Sequence, residues 1–195
     1  MDKRFLLASS LVLSTVALCA FEKLPEEYLI HYGSPTAPVQ VVEYVSLSCP
    51  KCVELFRKDF KNIQKQYIDS KKVYWTFHIH PADILSLQAM VCVENLTPED
   101  KRVFWEVLLD TLDDPTEGAS IMQIEMEELG IPSPMLKDLL YLATTTSFEC
   151  AYKYLKQEKV IKELPTVEIN GQLYDAFPSY KFLKKQFDTL LTEGK

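Results

Sequence analysis

Two cysteines separated by two residues stand where a valine-rich segment meets an amphipathic one. Residues 39–46 (VQVVEYVS) are almost continuously apolar, which is typical of a central strand covered on both faces. After Cys49-Pro50-Lys51-Cys52, apolar side chains recur at steps of three and four, as on one face of a helix. Residues 73–79 then alternate as a strand does. The segment therefore predicts a β-α-β unit whose helix begins at the cysteine pair.

The rest of the chain reads as a helical block followed by a short β-β-α ending. Helices are predicted over residues 82–95, from Pro98 to about residue 112, and over residues 119–129, 134–144 and 148–162. Residues 166–169 and 172–175 form two strands joined by an Asn170-Gly171 turn, and a last helix opens at Pro178. Residues 25–38 are turn-rich and predict an irregular lead-in. This order predicts an α/β fold with one sheet (residues 21–80 and 163–195) and an inserted helical domain (residues 81–162).

The first twenty residues have the pattern of a signal peptide. Lys3 and Arg4 precede an uncharged apolar stretch that ends at Ala20, and this stretch is short for a transmembrane helix. We expect cleavage after Ala20 and an extracytoplasmic, for example periplasmic, location. An uncleaved anchor and a lipidated Cys19 are the alternatives.

Composition narrows the classes of partner. The chain has 195 residues, of which 47% are hydrophobic, so it can build one sizeable core. Its net charge of -7 argues against a nucleic-acid binder and against attraction to an anionic membrane surface. Four cysteines remain after signal cleavage, and an oxidising compartment favours disulfides between them.

The position of the cysteine pair predicts redox chemistry. Cys49 falls at the start of a helix, where free N–H groups and a partial positive charge favour a thiolate. Lys51 adds a cation, and Pro50 suits a first helical turn. Cys52 follows one turn later, close enough to form a small disulfide ring and to resolve a mixed disulfide.

Two other interpretations of the pair remain. It could be half of a zinc site, but the chain has no second such pair, and His31, His78 and His80 lack the spacing of a zinc finger. It could also be a purely structural disulfide, although a loop this small constrains the unfolded chain little. We expect no metal ion.

Two residues outside the pair are also informative. Glu43 interrupts the valine-rich strand on the face of Val41 and Val45, where a buried carboxyl would tend to be protonated. A buried acid beneath a dithiol can exchange protons with Cys52. Pro165 precedes the strand at 166–169, but periodicity alone does not make its peptide bond cis.

The motifs VEYVSLSCPKC and LPTVEINGQLY resemble the DsbA-like branch of the thioredoxin superfamily. The segments GSPTAPVQVVEY and QAMVCVENLTPEDKRVFWEVLLDTL are similar to that branch as well. The resemblance implies a thioredoxin fold with an inserted helical domain. It also implies that Cys49 attacks, that Cys52 resolves and that Glu43 is the buried acid.

The same resemblance implies that Leu164-Pro165 is a cis pair beside the dithiol, with Leu164 offering its backbone to a bound peptide near Pro50 and Lys51. Two features depart from the family: such proteins more often have Val or Thr before this proline, and the best-known oxidases have Pro-His between their cysteines. Both departures bear on the redox potential. Some relatives join two helices of the insertion by a second disulfide, which would here be Cys92–Cys150; two buried free thiols are the alternative.

The sequence therefore predicts a thiol-disulfide oxidoreductase that acts on the cysteines of exported proteins, as an oxidase. A reductase or isomerase of the same fold, or a non-catalytic chaperone or metal-binding module, is the alternative. The cysteine pair carries the electrons, so no dissociable cofactor is expected. A membrane redox partner would reoxidise the cysteine pair of an oxidase (DsbB-like) or reduce that of a reductase (DsbD-like). We expect a monomer, because fewer than about 20 residues precede Gly33 after signal cleavage and leave no room for a separate dimerisation domain.

Overall fold

The structure is a computed structural model, and it describes residues 24–131, 146–157, 161, 163–174 and 178–193. The predicted signal segment at residues 1–20 and the predicted helix at residues 134–144 lie outside these ranges. Among the described helices, none combines the length and the apolar character needed to cross a membrane.

A five-stranded sheet organises the described chain. Its strands are β1 (Leu29–Tyr32), β2 (Val39–Val45), β3 (Val73–Ile79), β4 (Thr166–Ile169) and β5 (Gln172–Tyr174). They lie in the order β1-β3-β2-β4-β5, and β2 and β3 are parallel whereas the other neighbours are antiparallel. Strand β2 is therefore central, as its run of valines predicted.

Strand β1 corrects the prediction of an irregular lead-in. Residues 29–32 pair antiparallel with β3, opposite residues 75–78. Four residues are too few for a clear period-two pattern, and β1 has no hairpin turn beside it such as the Asn170-Gly171 turn that marks β4 and β5. Gly33 follows with a φ of 91°, and a Cβ at this position would come within 2.7 Å of the Val73 carbonyl oxygen. The chain can therefore leave β1 so close to β3 only at a glycine.

Six helices surround the sheet in the described residues. Helix α1 begins with Pro50–Leu55 and continues through a π-helical turn (Phe56–Phe60), an α-helical turn (Lys61–Ile63) and a second π-helical turn (Gln64–Ile68). The others are α2 (Ile84–Glu94), α3 (Pro98–Thr111), α4 (Gly118–Glu128), α5 (Thr146–Leu155) and α6 (Tyr180–Glu193). Helix α5 ends earlier than the predicted residue 162.

Aromatic rings join α1 to the sheet. Phe60 packs at 5.0 Å from Phe77 and at 5.7 Å from Trp75, measured between ring centroids. Trp105 of α3 contacts Phe77 on the same face at 5.7 Å. Burial of such large apolar side chains is the main stabilising term here. These contacts hold α1, and with it the cysteine pair, on one face of the sheet.

Local signals set several element ends as predicted. The Thr97 side chain accepts a hydrogen bond from the Asp100 N–H at 3.3 Å, so it caps α3 with Pro98 in the first turn. Asn170 and Gly171 have φ values of 47° and 85°, as a tight hairpin turn between β4 and β5 requires. Helices α2 to α5 lie between β3 and β4 in the chain, so the helical block is an insertion into the sheet domain.

Candidate active site

Cys49 and Cys52 lie at the N-terminus of α1, directly after the central strand. Cys49 is the residue that caps the helix, and its Sγ accepts a hydrogen bond from the Cys52 N–H at 3.4 Å. Cys49 is half-buried, whereas Cys52 is fully buried. Of these two residues, only Cys49 is therefore open to attack from solvent. The four described cysteines are all thiols in this structure.

The first turn of α1 stabilises the Cys49 thiolate. A hydrogen bond from the Cys52 thiol contributes most to lowering the pKa of Cys49 to about 6, against an opposing effect of partial burial. The N–H groups of Cys52 and Lys51 also lower the pKa of Cys49, and the charge of Lys51 contributes less than they do. From the sequence, the helix terminus and Lys51 were expected to lower the pKa of Cys49. In the structure the Cys52 thiol lowers this pKa more than either of them.

Cys52 has the opposite electrostatic environment. Its proton is shared with the Cys49 sulfur, and together with burial this raises the pKa of Cys52 above its usual range. The nearby carboxyl of Glu43 raises the pKa of Cys52 further, and a backbone hydrogen bond from Ser46 opposes this. The two sulfurs therefore differ strongly: Cys49 favours the thiolate form and Cys52 the thiol form.

Glu43 is buried at the centre of the sheet, with 1% of its surface exposed. It pairs with Phe77 of β3 and Val167 of β4, so it lies on a central strand and not at an exposed edge of the sheet. Burial raises the pKa of Glu43 to about 8, and the Cys49 charge acts in the same direction. The nearby Trp75 indole lowers the pKa of Glu43 somewhat. The indole N–H does not reach hydrogen-bond geometry with the Glu43 carboxyl. Within the described chain, Glu43 Oε1 thus has no hydrogen-bond partner.

The peptide bond between Leu164 and Pro165 is cis. Pro165 is buried and Leu164 is half-buried. The next residue, Thr166, pairs with Tyr44 near the end of β2, and Cys49 follows β2 by only a short loop. The start of β4 and the cysteine pair therefore lie at the same end of the sheet.

Pro50 and Lys51, predicted to contact the substrate, are exposed on the first turn of α1. Both are therefore accessible beside Cys49, and the contact itself stays a prediction.

Cys92 and Cys150 lie on α2 and α5, two helices that contact each other. Cys92 is fully buried, and burial raises its pKa to about 12, whereas Cys150 is half-buried. Neither thiol is bonded in this structure, and their pairing stays a prediction.

The three histidines lie in the described chain without gathering around one site, although His78 and His80 both contact the Tyr154 ring. His31 stacks on Tyr74 and shares a hydrogen bond with Thr76 at 3.0 Å, and His78 accepts one from the Leu24 N–H at 3.0 Å. His80 is buried, and burial lowers its pKa. Across the described ranges no three His, Cys, Asp or Glu side chains gather as metal ligands would.

The sequence analysis missed Asp83. Its carboxylate accepts hydrogen bonds from the hydroxyls of Ser46 at 2.7 Å and Ser48 at 3.0 Å, in the loop before Cys49. The available signal was local: Asp83 followed by Ser86 at the start of an apolar run is a helix-capping pattern. Nothing local could link it to serines 35 or more residues earlier.

Comparison with known proteins agrees with this geometry. Residues 26–189 match the family described as Thioredoxin. The chain is 28% identical over 172 residues to Disulfide bond formation protein D of Bacillus subtilis (strain 168), covering 84% of this chain and 77% of the relative.

Solved structures are similar over nearly the same length. Oxidised BdbD from Bacillus subtilis has a TM-score of 0.69 and 26% identity, covering 89% of this chain and 98% of that one. Wolbachia pipientis alpha-DsbA1 has a TM-score of 0.70 and 20% identity, covering 87% and 94%. With the cysteine pair, the cis-proline and the inserted helices, these matches show that the chain belongs to the thioredoxin family, in its DsbA-like branch of thiol-disulfide oxidoreductases.

Proposed function

We propose that this protein is an exported oxidase that transfers its Cys49–Cys52 disulfide to pairs of cysteines in other extracytoplasmic proteins. The observation that carries the proposal is the stabilised Cys49 thiolate, whose pKa is lowered to about 6. A disulfide is a strong oxidant when its reduced form is preferentially stabilised, because the released thiolate is then a good leaving group. The predicted signal segment supports export.

Each cycle moves two electrons from the client to the protein, while the client's two thiol protons pass to solvent, from which Glu43 is protonated again. A client thiolate attacks Cys49 Sγ, the Cys49–Cys52 bond breaks, and Cys52 leaves as a thiolate that takes a proton from the Glu43 carboxyl. A second client thiolate then attacks the client sulfur of the mixed disulfide and releases Cys49 as a thiolate. The client gains a disulfide, and the protein is left with a reduced pair.

Glu43 suits the proton transfer because its pKa of about 8 lets it hold or release a proton near neutral pH. The reduced pair must give its two electrons to an oxidant before the next cycle. We propose a membrane partner linked to quinones for this step, and clients that are proteins with cysteines.

A groove beside the pair suits an extended client segment. It has a volume of about 300 Å³, at the lower end of the range for binding sites, and Pro50 and Ser48 on either side of Cys49 both line it. Buried Leu47, Val53 and Leu112 make its walls apolar.

The charged side chains at the groove rim form two ion pairs, Lys58 with Glu54 at 2.5 Å and Arg57 with Asp113 at 2.9 Å. The opposite charges cancel within each pair. The groove therefore favours a client with an apolar side chain near its reactive cysteine.

The test is oxidation of a reduced peptide that contains two cysteines, measured by mass. The oxidised protein should convert about one equivalent of peptide, and Cys49→Ser should abolish the reaction while Cys92→Ser, away from the site, retains it. Peptides with Phe beside the cysteine should react faster than peptides with Glu there. Catalysed reduction of insulin without peptide oxidation would instead identify a reductase. Absence of both reactions, with stoichiometric Zn²⁺ binding that needs both cysteines, would identify a metal-binding module.

A further inference from the structure

Asp83 links the helical insertion to the loop that carries the cysteine pair. It precedes α2, and its Oδ1 accepts the Ser86 N–H at 2.9 Å, as a helix cap does. The same carboxylate also accepts hydrogen bonds from the hydroxyls of Ser46, Ser48 and Ser86 at 2.7, 3.0 and 2.7 Å. Capping explains only the first of these four bonds.

Every residue of the loop between β2 and Cys49 (residues 46–48) is hydrogen-bonded to Asp83 or to Ser86. Ser46 and Ser48 donate their hydroxyls to Asp83, and the Leu47 N–H donates to Ser86 Oγ at 3.0 Å. Ser46 Oγ in turn accepts the Ser48 N–H at 3.1 Å. Hydrogen bonds to a carboxylate are stronger than those between neutral groups, so the loop is held at several points.

The loop also acts on both cysteines. The Cys49 N–H donates to the Ser46 carbonyl oxygen at 3.2 Å. The Ser46 backbone lowers the pKa of Cys52. A shift of Ser46 would therefore move the first turn of α1 relative to the sulfur that its N–H groups stabilise.

We infer that Asp83 is a positioning residue for the dithiol: by holding residues 46–48 from the helical insertion, it keeps the N–H donors of the first turn aimed at Cys49. The inference deepens the thiol-disulfide activity proposed above and rests on it. Asp83 acts through the hydrogen bonds that its carboxylate accepts from Ser46 and Ser48.

Three variants separate positioning from capping and from charge. Asp83→Ser retains a good helix cap but has one short oxygen that cannot accept from both loop hydroxyls. Asp83→Asn removes the charge, yet its amide can still accept from one hydroxyl and donate to another. Thr97→Ala removes the cap of α3, a different helix of the insertion, and serves as the matched control.

The measurement is the rate of Cys49 alkylation against pH in the reduced protein, with circular dichroism to verify folding. We expect Asp83→Ser to raise the alkylation midpoint by about one pH unit, which is a tenfold loss of thiolate below the midpoint. Asp83→Asn and Thr97→Ala should stay within about threefold of the parent protein at any pH. An unchanged midpoint in Asp83→Ser, or an equal rise in Asp83→Asn or Thr97→Ala, would overturn the inference.

If Asp83→Ser does not fold, the double variant Ser46→Ala with Ser48→Ala tests the same contacts from the loop side. A raised midpoint there supports the inference, and an unchanged one overturns it. Alkylation needs no client, so it also separates the two proposals. A midpoint that depends on Asp83 in a protein that oxidises no peptide would retain the positioning role and reject the oxidase.

Discussion

The Cys52 N–H donates a hydrogen bond to Cys49 Sγ at 3.4 Å, so Cys52 stabilises negative charge on Cys49 from within the same helical turn. Its thiol contributes even more to the low pKa of Cys49. We therefore predict an alkylation midpoint near pH 6 for Cys49. Replacing Cys52 by Ala should raise this midpoint by about one pH unit, because the S–H donor is lost.

Two comparisons sharpen this prediction. Cys52→Ser keeps a donor in the side chain and should fall between the parent protein and Cys52→Ala. Lys51→Ala should have a smaller effect than Cys52→Ala, because its charge is a lesser influence. A larger shift in Lys51→Ala would contradict the assignment.

The low pKa of Cys49 also predicts how the stability of the reduced protein depends on pH. Folding lowers this pKa to about 6, so the thiolate stabilises the folded state fully above the pKa of an unfolded cysteine, about 8.5. This stabilisation is lost as the pH falls through 6. The free energy of unfolding of the reduced form, measured against that of the oxidised form in urea, should therefore decrease from pH 9 to pH 5. A constant difference would argue against a thiolate in the folded state.

For Glu43→Gln we predict slower disulfide exchange in a folded protein. The amide cannot give a proton to Cys52 as the disulfide opens, and a lost general acid typically costs about 100-fold or more. Stopped-flow measurement of peptide oxidation from pH 5 to 9 would test this, with Glu168→Gln, on the neighbouring strand, as a control. Equal rates for Glu43→Gln and the parent protein across this range would leave Glu43 a structural role only.

Glu43 has a second, opposite consequence for stability. Folding raises its pKa to about 8, so the unfolded chain ionises first as the pH rises above about 4.5 and the folded state is progressively disfavoured up to pH 8. Glu43→Gln removes this penalty. Relative to the parent, the variant should gain about 3 kcal/mol between pH 4 and pH 7. Urea denaturation of both proteins at the two pH values measures the difference, and an identical offset at both would contradict a buried neutral acid.

For Cys92 and Cys150 we predict a disulfide in the exported protein. Their helices α2 and α5 are in contact, and an oxidising compartment favours bonding. After full oxidation and denaturation without reductant, the protein should have no free thiols. Two thiols mapped by mass spectrometry to Cys92 and Cys150 would reject this bond without affecting the Cys49–Cys52 pair.

The direction of electron flow follows from the reduction potential. Because the reduced form is stabilised at Cys49, we predict a potential well above the roughly −270 mV of thioredoxin. Each ~30 mV corresponds to ~1.4 kcal/mol for this two-electron couple, so the few donors around Cys49 can decide the direction. Equilibration with glutathione measures it, and a value near that of thioredoxin would make the protein a reductant.

Strong local patterns made the centre of the fold predictable. The valines of β2 and the spaced apolar residues of α1 each extend over enough residues to show a period, and the cysteine pair lies between them. Strand β1 was missed because its four residues have no hairpin turn beside them, unlike the equally short β4. The contacts of Asp83 were missed because they join distant segments through hydrogen bonds, which leave no period in the sequence.

The low pKa of Cys49 was predicted, but its main cause was not. The influence of the Cys52 thiol depends on where one sulfur lies relative to the other in the folded turn, and spacing alone shows only that both belong to that turn.

The helical block leaves the sheet after β3 and returns before β4, and these two strands are the neighbours of β2. The two ends of the insertion are thus anchored on either side of β2, the strand that leads to Cys49. The pairing of β2 with β3 and β4 does not depend on how many residues the insertion contains. Domain exchange can exploit this arrangement. A chimaera that takes its helical block from a relative should keep its electron-transfer chemistry and acquire new client preferences, provided that the exchanged block retains an aspartate at position 83.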